Sequence, residues 1–305
     1  MSIREKLKIK LEKLKVKDLR QICKIHHIQS ASKKVDLIEH LLHPGKYRIE
    51  SVITITCGDV AENHVGMKYE GKGVLEGQGF NFQDMTKAIV KFKKLGCKME
   101  IFHLNELIKE KAENAYILII RGGLKAIIGD ENINNFYKSL NELEWDKKYW
   151  DTRRQKVLNK HARWNLIFGD EPQTANYEEK KGTIIAYRDI PKFCKIMQSF
   201  EKLLGKKAEN LQAEGNKYYD KSCTGISYHG DAERRKVIAF RLGGNMPLHY
   251  QWFLNSKPIG ENKKFIINSG DIYVMSEKAV GTDWKKKKFP TLRHAAGCEK
   301  YTKIN

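Results

Sequence analysis

Two histidines and an aspartate in the C-terminal half of the chain have the spacing of a metal site. His229 and Asp231 stand two apart in the string YHGD, so at a strand end their side chains point to the same side. With the distant His294, two imidazoles and one carboxylate occupy one face of an ion. Three positions stay open, as in non-haem Fe(II) oxygenases, where a bidentate oxo-acid and O₂ take them. The alternatives are a turn histidine at 229 and a basic surface pair at Arg293 and His294.

Several short motifs surround these residues in a fixed order. From the amino end they are FGD at 168–170 with NY at 176–177, NKY at 216–218, a turn with Gly225, HGD at 229–231, VIAFRLG at 237–243, FIINSGDIYVM at 265–275, and His294. The series resembles the AlkB-like family of Fe(II)/2-oxoglutarate-dependent dioxygenases over roughly residues 160–305. The resemblance implies a double-stranded β-helix (jelly-roll) oxygenase domain that uses Fe(II), 2-oxoglutarate as co-substrate, and O₂.

The resemblance also assigns roles to individual residues. It implies that His229, Asp231 and His294 are the iron ligands and the catalytic centre. It implies further that Asn216 and Tyr218 contact 2-oxoglutarate. A cation on the last strand is expected to pair with the far carboxylate of 2-oxoglutarate.

That cation departs from the family's pattern. The family uses a pair of arginines, whereas no Arg follows His294 in this chain. Lys300 and Lys303, in a strand expected over 300–304, are the available cations. They would face opposite sides of that strand, so only one can serve. Lys300 is favoured because it aligns with the family's basic residue and its aromatic neighbour; a lysine supplies a point charge without bidentate geometry.

The first 45 residues predict a small helical module. Apolar residues recur at three- and four-residue steps, with a break at 29–32 and an end at Pro44. The string LKVKDLRQICKIHHIQSASKKVDLIEHLL at 14–42 resembles the SAP motif, a helix–extended–helix DNA-binding module, although it lacks the usual central Gly. A solvated helical hairpin is the alternative. The resemblance implies phosphate contacts from the polar face through Lys15, Lys17, Arg20, Lys33 and Lys34.

The charge of the chain also favours a polyanion partner. Among 305 residues, 57 Lys and Arg outnumber 37 Asp and Glu, which gives a formal charge of +20. Each phosphate that a basic side chain neutralises releases counterions. The bland alternative is an AT-rich genome, viral or cellular, whose codons enrich lysine. We expect nucleic acid as the partner, DNA rather than RNA.

Other features of the sequence exclude a transmembrane protein and favour an intracellular one. No apolar run approaches the roughly 20 residues of a membrane span. The N-terminus lacks the apolar core of a secretory signal. The six cysteines form no CxxC pair, which fits a reducing compartment. We therefore expect an intracellular protein in the nucleus, the cytoplasm or a viral replication compartment.

Hydrophobic patterning predicts a mixed α+β chain. Residues 50–130 predict a small α/β region of unknown role, with strands at 51–56 and 116–120 and helices at 85–95 and 104–112. Residues 131–305 predict the oxygenase domain, a β-sandwich or barrel with one amphipathic helix at 191–204. Its strand candidates are 182–187, 225–228, 237–242, 265–268, 271–275 and 300–304. Residues 1–46 form the SAP-like module in this division.

These features together predict an enzyme that acts on nucleic acid. The expected reaction is Fe(II)/2-oxoglutarate-dependent hydroxylation or oxidative demethylation of a base, in nucleic-acid modification or repair, with the SAP-like module recruiting the enzyme to DNA. Two alternatives are a 2-oxoglutarate-dependent hydroxylase of protein side chains and a catalytically inactive DNA-binding scaffold. The lysine run at 285–288 lies either at the mouth of the site or in a solvated loop.

Overall fold

The computed structural model describes residues 2–26, 28, 30–45 and 50–304. The chain divides into two compact units between Ser51 and Val52. Each unit has its own hydrophobic core.

The first unit is helical, as the apolar periodicity predicts. Its helices are α1 (Ile3–Glu12), α2 (Val16–Ile25) and α3 (Lys34–Leu42). The Ser2 side chain accepts a hydrogen bond from the Glu5 amide, and the Glu5 carboxylate accepts one from the Ser2 amide; this capping box starts α1. Leu19, Cys23 and Leu37 are fully buried where the helices meet.

The second unit contains the β-structure and the remaining helices. Its strands are β1 (Val52–Gly58), β2 (Val60–Glu62), β3 (Tyr69–Gly71), β4 (Lys98–His103), β5 (Tyr116–Arg121), β6 (Lys148–Asp151), β7 (Lys156–Asn159), β8 (Trp164–Gly169), β9 (Ile184–Ala186), β10 (Gln212–Tyr218), β11 (Gly225–His229), β12 (Val237–Gly243), β13 (Met246–Leu254), β14 (Lys257–Ile267), β15 (Ile272–Met275) and β16 (Thr291–Gly297). Its helices are α4 (Phe82–Lys94), α5 (Gly123–Ile128), α6 (Asp130–Glu142), α7 (Pro191–Leu204), α8 (Glu277–Val280) and α9 (Glu299–Thr302).

Two sheets organise this unit. The larger has eight strands in the order β4-β5-β15-β12-β1-β10-β8-β9, and the smaller has four in the order β11-β16-β13-β14. Their strand pairs are antiparallel except for the parallel pair of β8 and β9. Two short hairpins, β2–β3 and β6–β7, complete the β-structure. The predicted mixed α+β class is confirmed.

The alternation of side chains along β1 separates the two faces of the large sheet. Ile53 and Ile55 are fully buried in the core that the sheet shares with α4, α5, α6 and α7. Thr54 and Thr56 point to the opposite face. On that face, a second core joins the two sheets, with Tyr250 and Trp252 of β13 fully buried in it. The unit therefore has three layers, one of helices and two of sheet.

Most of the predicted elements are confirmed. The structure has strands at five of the predicted sites, β1, β5, β11, β12 and β15, and helices at α4 and α7. The predicted strand at 182–187 is the shorter β9, and the one at 265–268 is the end of the longer β14. Tyr250 and Trp252 lie in β13 and are part of the core between the sheets.

The predicted division of residues 50–305 differs from the structure. Residues 50–130 do not form a separate α/β region, because β1 lies inside the large sheet and β4 and β5 extend it. Nor does a domain begin at residue 131, which lies inside α6. That helix buries Phe136 and Leu140 against the same sheet. Strands that are distant in sequence pair with one another and join these segments into one unit. Local sequence patterns do not reveal such pairing, so they could not predict this unit.

Two predicted elements are wrong. Residues 300–304 are not a strand: α9 occupies Glu299–Thr302, after Gly297 turns the chain with a φ of 117°. The predicted helix at 104–112 is only a single 3₁₀ turn over Leu104–Leu107. The Asn105 side chain bonds the backbone of Ala112, Glu113 and Ala115, which satisfies those groups without a helix.

No helix in the described part of the chain is long and apolar enough to cross a membrane.

The interior position of β1 predicts a large stability loss when its core side chain is truncated. Ile55→Ala should lower the free energy of unfolding by about 2–5 kcal/mol, because Ile55 is fully buried between β10 and β12. The control Val90→Ala, at a side chain 56% exposed on α4, should change it by less than about 0.5 kcal/mol. Urea unfolding followed by circular dichroism measures both. Equal effects of the two substitutions would contradict the interior position of β1.

Candidate metal centre

The three predicted metal ligands converge at one point between the sheets. His229 ends β11 and pairs with His294 of β16, and Asp231 follows two residues after His229. The Nε2 atoms of both histidines lie 3.5 Å from Asp231 Oδ1. One donor atom from each of the three residues lies within 4.8 Å of the others. This spacing suits a single divalent ion, and the donor set of two imidazoles and one carboxylate matches non-haem iron.

Hydrogen bonds orient the His229 ring for metal binding. Its Nδ1 lies 2.8 Å from the Ser227 carbonyl oxygen and 3.1 Å from that of His294. Because carbonyl oxygens only accept, Nδ1 carries the proton and the Nε2 lone pair is free for an ion. Burial, and then the neighbouring His294, lower the pKa of His229 to about 3. The imidazole is therefore neutral at neutral pH, as a ligand must be.

Asp231 is held ionised by its neighbours. Burial opposes ionisation, but the Arg234 guanidinium, followed by His294 and His229, holds the pKa of Asp231 well below its usual range. Arg234 is 3% exposed, and its Nε lies 3.6 Å from Asp231 Oδ2. Asp231 therefore offers Oδ1 to the histidine side while Oδ2 faces a fixed positive charge.

Gly230 allows the ligand turn to approach the end of α8. A Cβ at this position would overlap the Gly281 carbonyl oxygen. The Asp231 amide donates to the Val280 carbonyl oxygen at 3.0 Å. The glycine in the HGD string is thus a packing requirement that keeps His229 and Asp231 in place.

The triad opens into a cavity of about 670 Å³ between the two sheets. Thr54, Asn216, Arg241 and Tyr273 come from four neighbouring strands of the large sheet, β1, β10, β12 and β15. The triad and Leu248 come from or adjoin the small sheet. A pocket of this size admits a small co-substrate together with part of a larger substrate.

Arg241 is an anion-binding candidate that the sequence reasoning missed. It is 1% exposed and donates through Nη1 to the Met246 carbonyl oxygen at 3.1 Å, but its Nε has no hydrogen-bond partner among the described residues. Burial raises the pKa values of Tyr218 and Tyr273, and the charge of the nearby Arg241 guanidinium, joined by Arg163 at Tyr218, opposes part of that rise. A buried cation with a free donor calls for an anionic ligand. The available signal was an arginine inside the apolar strand VIAFRLG.

Lys300 and Lys303 do not reach this cavity. Lys300 lies on α9, with its Nζ 5.4 Å from the centre of the Tyr301 ring. Lys303 borders a different depression, beside Pro247 and Lys264. The predicted strand that would carry this cation is absent, because Glu299–Thr302 form α9, and neither lysine lines the cavity.

Asn216 and Tyr218 both line the cavity, as the resemblance implies, but they differ in availability. Asn216 Oδ1 accepts from Arg163 Nε at 2.6 Å and from Asn165 Nδ2 at 2.9 Å, and its Nδ2 donates to Glu214 at 3.1 Å. Both polar atoms of Asn216 are therefore hydrogen-bonded, and only the second N–H of Nδ2 is left for a ligand. Tyr218 is buried beside the Arg241 guanidinium.

A group of carboxylates around Arg234 also lines the cavity. Arg234 Nη2 donates to Glu214 and Glu233, each at 2.7 Å, and the Glu62 amide donates to Glu214 at 2.9 Å. Burial, and then the charges of Glu233 and Glu214, raise the pKa of Glu62 to about 7. The cavity lining thus contains the buried Arg241 and, in addition, a cluster of carboxylates paired with the buried Arg234.

The predicted phosphate contacts of the first unit fall into two groups. Arg20 donates to the Ala31 and Ser32 carbonyl oxygens at 3.3 and 3.2 Å, and Lys34 donates to that of Glu12 at 2.7 Å. These two side chains join the helices of the unit. Lys15, Lys17 and Lys33 are exposed and remain candidates for phosphate contact.

Comparison with known proteins finds a relative of the chain in a mimivirus. No protein-family model matches the chain. It is 45% identical over 259 residues to the uncharacterized protein R156 of Acanthamoeba polyphaga mimivirus, a match that covers 84% of this chain and 99% of that protein. The chain therefore belongs to the same family as this mimivirus protein.

The glycine between the metal ligands yields a prediction about metal binding. Gly230→Ala should weaken Co(II) or Fe(II) binding at least about tenfold, because relief of the overlap with Gly281 must displace His229 or Asp231. Gly45→Ala is the matched control, since a Cβ there meets nothing within 4 Å. Calorimetric metal titration of both variants measures the effect. Wild-type affinity in a folded Gly230→Ala protein would contradict the assignment.

His64, on the loop that joins β2 to β3, yields a prediction about pH. Burial, and then Lys160, lower the pKa of His64 to about 4, against about 6.5 when unfolded. The unfolded chain therefore takes up a proton first, and the wild type loses stability as pH falls from about 6.5 towards 4. The slope is at most about 1.4 kcal/mol per pH unit. His64→Phe should show a shallower loss in urea unfolding over this range; identical slopes would contradict the burial of His64.

Proposed function

We propose that this protein is an Fe(II)/2-oxoglutarate-dependent dioxygenase of the AlkB-like type that hydroxylates or oxidatively demethylates a nucleic-acid base. The observation that carries the proposal is the convergence of His229, Asp231 and His294 in a cavity that also contains the buried Arg241. A facial triad alone fits several metals. A facial triad and a buried arginine with a free Nε in one cavity fit a metal together with a dianionic chelator.

Particular side chains would hold these groups. The Nε2 atoms of the two histidines and Oδ1 of Asp231 would bind the metal. Arg241, with Tyr218 and Tyr273 beside it, would bind the far carboxylate of 2-oxoglutarate. Fe(II), 2-oxoglutarate and O₂ would together supply the oxidising chemistry that hydroxylates a C–H bond. The apolar walls of the cavity, such as Leu248 and Met275, would exclude water from it.

The strand order supports a double-stranded β-helix. Four strands of the large sheet, β10, β1, β12 and β15, stand opposite the four strands of the small sheet, β11, β16, β13 and β14, with the triad between them. The resemblance expects a basic strand after the distal histidine. In this chain β1 occupies the position between β10 and β12 in the large sheet. Arg241 on β12 is paired with Thr54 of β1. We infer that the anchoring cation has moved from the last strand to β12.

The charge distribution supports a nucleic-acid substrate. The chain carries a formal charge of +20, and Lys15, Lys17 and Lys33 leave the helical unit with exposed positive side chains. Arginines and lysines that neutralise phosphates make binding strong at low salt and steeply salt-dependent. We therefore propose that the helical unit binds DNA and that the second unit acts on its bases.

An anaerobic absorbance titration tests the proposed chelate. Metal-free wild-type protein titrated with Fe(II) and 2-oxoglutarate should develop a charge-transfer band, and His229→Ala should not. Arg241→Gln should form the band only at about 10–100-fold higher 2-oxoglutarate, because it loses a charge-assisted hydrogen bond. Lys300→Gln and Lys303→Gln are the controls and should titrate like the wild type.

Two outcomes would contradict the proposal. A folded wild-type protein without the band would leave a DNA-binding scaffold that lacks the chelate. A Lys300→Gln or Lys303→Gln variant that loses 2-oxoglutarate affinity while Arg241→Gln retains it would return the anchoring role to the C-terminal lysines.

A further inference from the structure

Helices α4 and α7 lie side by side in the layer that covers the large sheet on the face away from the metal cavity. Lys91 Nζ of α4 donates to the carbonyl oxygen of Lys202, near the end of α7, at 2.6 Å. In the first turn of α4, the Asp84 carboxylate pairs with Lys207 Nζ at 2.8 Å. Both helices bury their apolar faces in the core that they share with the sheet. Their outer faces therefore form one continuous surface.

This surface holds much of the positive charge of the chain. Residues 82–98 and 191–207 contain ten lysines against two acidic residues, which gives them +8 of the formal charge of +20. In the same layer, residues 130–144, on α6 and just after it, contain one lysine against four acidic residues. Codon usage alone would spread lysine over the chain, so it does not explain a layer with a basic side and an acidic side.

The basic side of the layer is not neutralised by its own carboxylates. Asp84, one of its two acidic residues, is already engaged with Lys207. Six other lysines are exposed, and no ion pair between described residues includes any of them. These six are Lys87, Lys91, Lys94, Lys195, Lys202 and Lys206.

The six lysines form two rows. The three on α4 are four and three residues apart, so they lie on one face of that helix. Lys195 and Lys202 are seven residues apart on α7 and share a face in the same way, with Lys206 just after the helix. Packed helices stand about 8–10 Å apart, which sets the distance between the rows. Like charges this close repel one another, and a ligand with several negative charges would relieve the repulsion.

The residue types of this surface indicate the kind of partner. Protein–protein interfaces are enriched in aromatic residues and arginine and depleted in lysine. Single-stranded nucleic acid is bound through aromatic rings that stack on its bases, whereas the two rows supply lysines alone. Lysines instead suit a regular series of phosphates, which requires only point charges on flexible side chains. The backbone of a double helix presents such a series along its whole length.

We propose that the outer face of α4 and α7 binds the phosphate backbone of a double-helical nucleic acid without regard to sequence. The triad lies on the other side of the large sheet, so the nucleic acid held here is not the segment that the metal site would oxidise. The inference thus goes beyond the proposed function and does not depend on the oxygenase chemistry. It gives the second unit a duplex-binding surface of its own, in addition to that proposed for the helical unit.

The first test is the salt dependence of binding to a fluorescent duplex oligodeoxynucleotide by the full chain. One variant changes four lysines of the two rows to Gln: Lys87, Lys94, Lys195 and Lys202. Each lost phosphate contact should remove about 0.9 from the slope of log K against log salt, up to about 4 in total. The control removes the same charge from exposed lysines on other parts of the second unit: Lys109, Lys138, Lys257 and Lys264. The control should keep the wild-type slope, and equal slopes for the two variants would overturn the proposal.

The second test identifies the partner by competition and by strand type. A polyglutamate peptide of the same total charge should displace the labelled duplex at least about tenfold less well than an unlabelled duplex of unrelated sequence, because it lacks the condensed counterions of a double helix. Equal competition by the peptide would replace the nucleic acid by an acidic protein. The four-lysine variant should lose more affinity for the duplex than for a single strand of the same length. Equal losses would overturn the assignment to a double helix.

The absorbance titration separates failure of this inference from failure of the proposed function. Both four-lysine variants retain the triad and Arg241, so they should form the Fe(II)/2-oxoglutarate band like the wild type. A band together with a wild-type salt slope in the variant of the two rows would overturn this inference and leave the oxygenase intact. A reduced salt slope in a protein that forms no band would overturn the oxygenase and leave the duplex-binding surface.

Discussion

The pairing of β1 on both edges is the constraint on which the second unit depends. Val52–Gly58 pairs with β10 on one side and with β12 on the other. Without it, the large sheet would divide into two parts, and neither the helix layer nor the cavity would have a continuous floor. The alternation along this one strand supplies both faces, since Ile53, Ile55 and Cys57 enter the helix-side core and Thr54 and Thr56 enter the cavity. The separate region predicted from 50 to 130 is therefore an integral part of the candidate site.

Buried charge is the second condition of the site. Arg234 lies against Asp231, Glu214 and Glu233, and this cluster sits next to the triad. A buried ion costs free energy unless it is paired and hydrogen-bonded. A chain of hydrogen bonds runs from Glu214 through Asn216 and Asn165 to Lys160, so the buried charge of Lys160 is also hydrogen-bonded. These hydrogen-bonded groups are thus fixed before any ligand arrives, which reduces the reorganisation that binding requires, whereas Arg234 Nη1 and His294 Nδ1 have no hydrogen-bond partner among the described residues.

Some parts of this arrangement were accessible from sequence because they depend on local patterns. The period of apolar residues identified α4 and α7, and β-branched runs identified β1 and β12. The spacing of His229 and Asp231 required only that both lie at one strand end. The triad was predictable for this reason, and His294 joined it through the order of neighbouring motifs.

Other parts depend on contacts that no local pattern encodes. The neighbours of β1 are more than a hundred residues away along the chain. Arg241 reads as an ordinary strand residue until burial reveals that it lacks a partner for Nε. Both the local pattern and the resemblance predict a strand at Lys300 and Lys303, whereas Gly297 turns the chain into α9. The metal-binding role of His229 and Asp231 could be predicted because it follows from residue type and spacing. The anion-binding role of Arg241 could not, because it follows from burial.

The close contact between Gly230 and Gly281 couples the metal ligands His229 and Asp231 to the segment of residues 281–287. Asp231 is bonded to Val280, and the Thr282 hydroxyl donates to the Arg234 carbonyl oxygen at 3.0 Å. These hydrogen bonds connect the backbone around Asp231 with the backbone before Trp284, one on each side of the glycine contact. A displacement of residues 281–287 is therefore expected to move the Asp231 carboxylate as well, because these hydrogen bonds connect the two segments. Insertions or deletions between α8 and Trp284 would therefore alter the metal site, although that segment supplies none of its ligands.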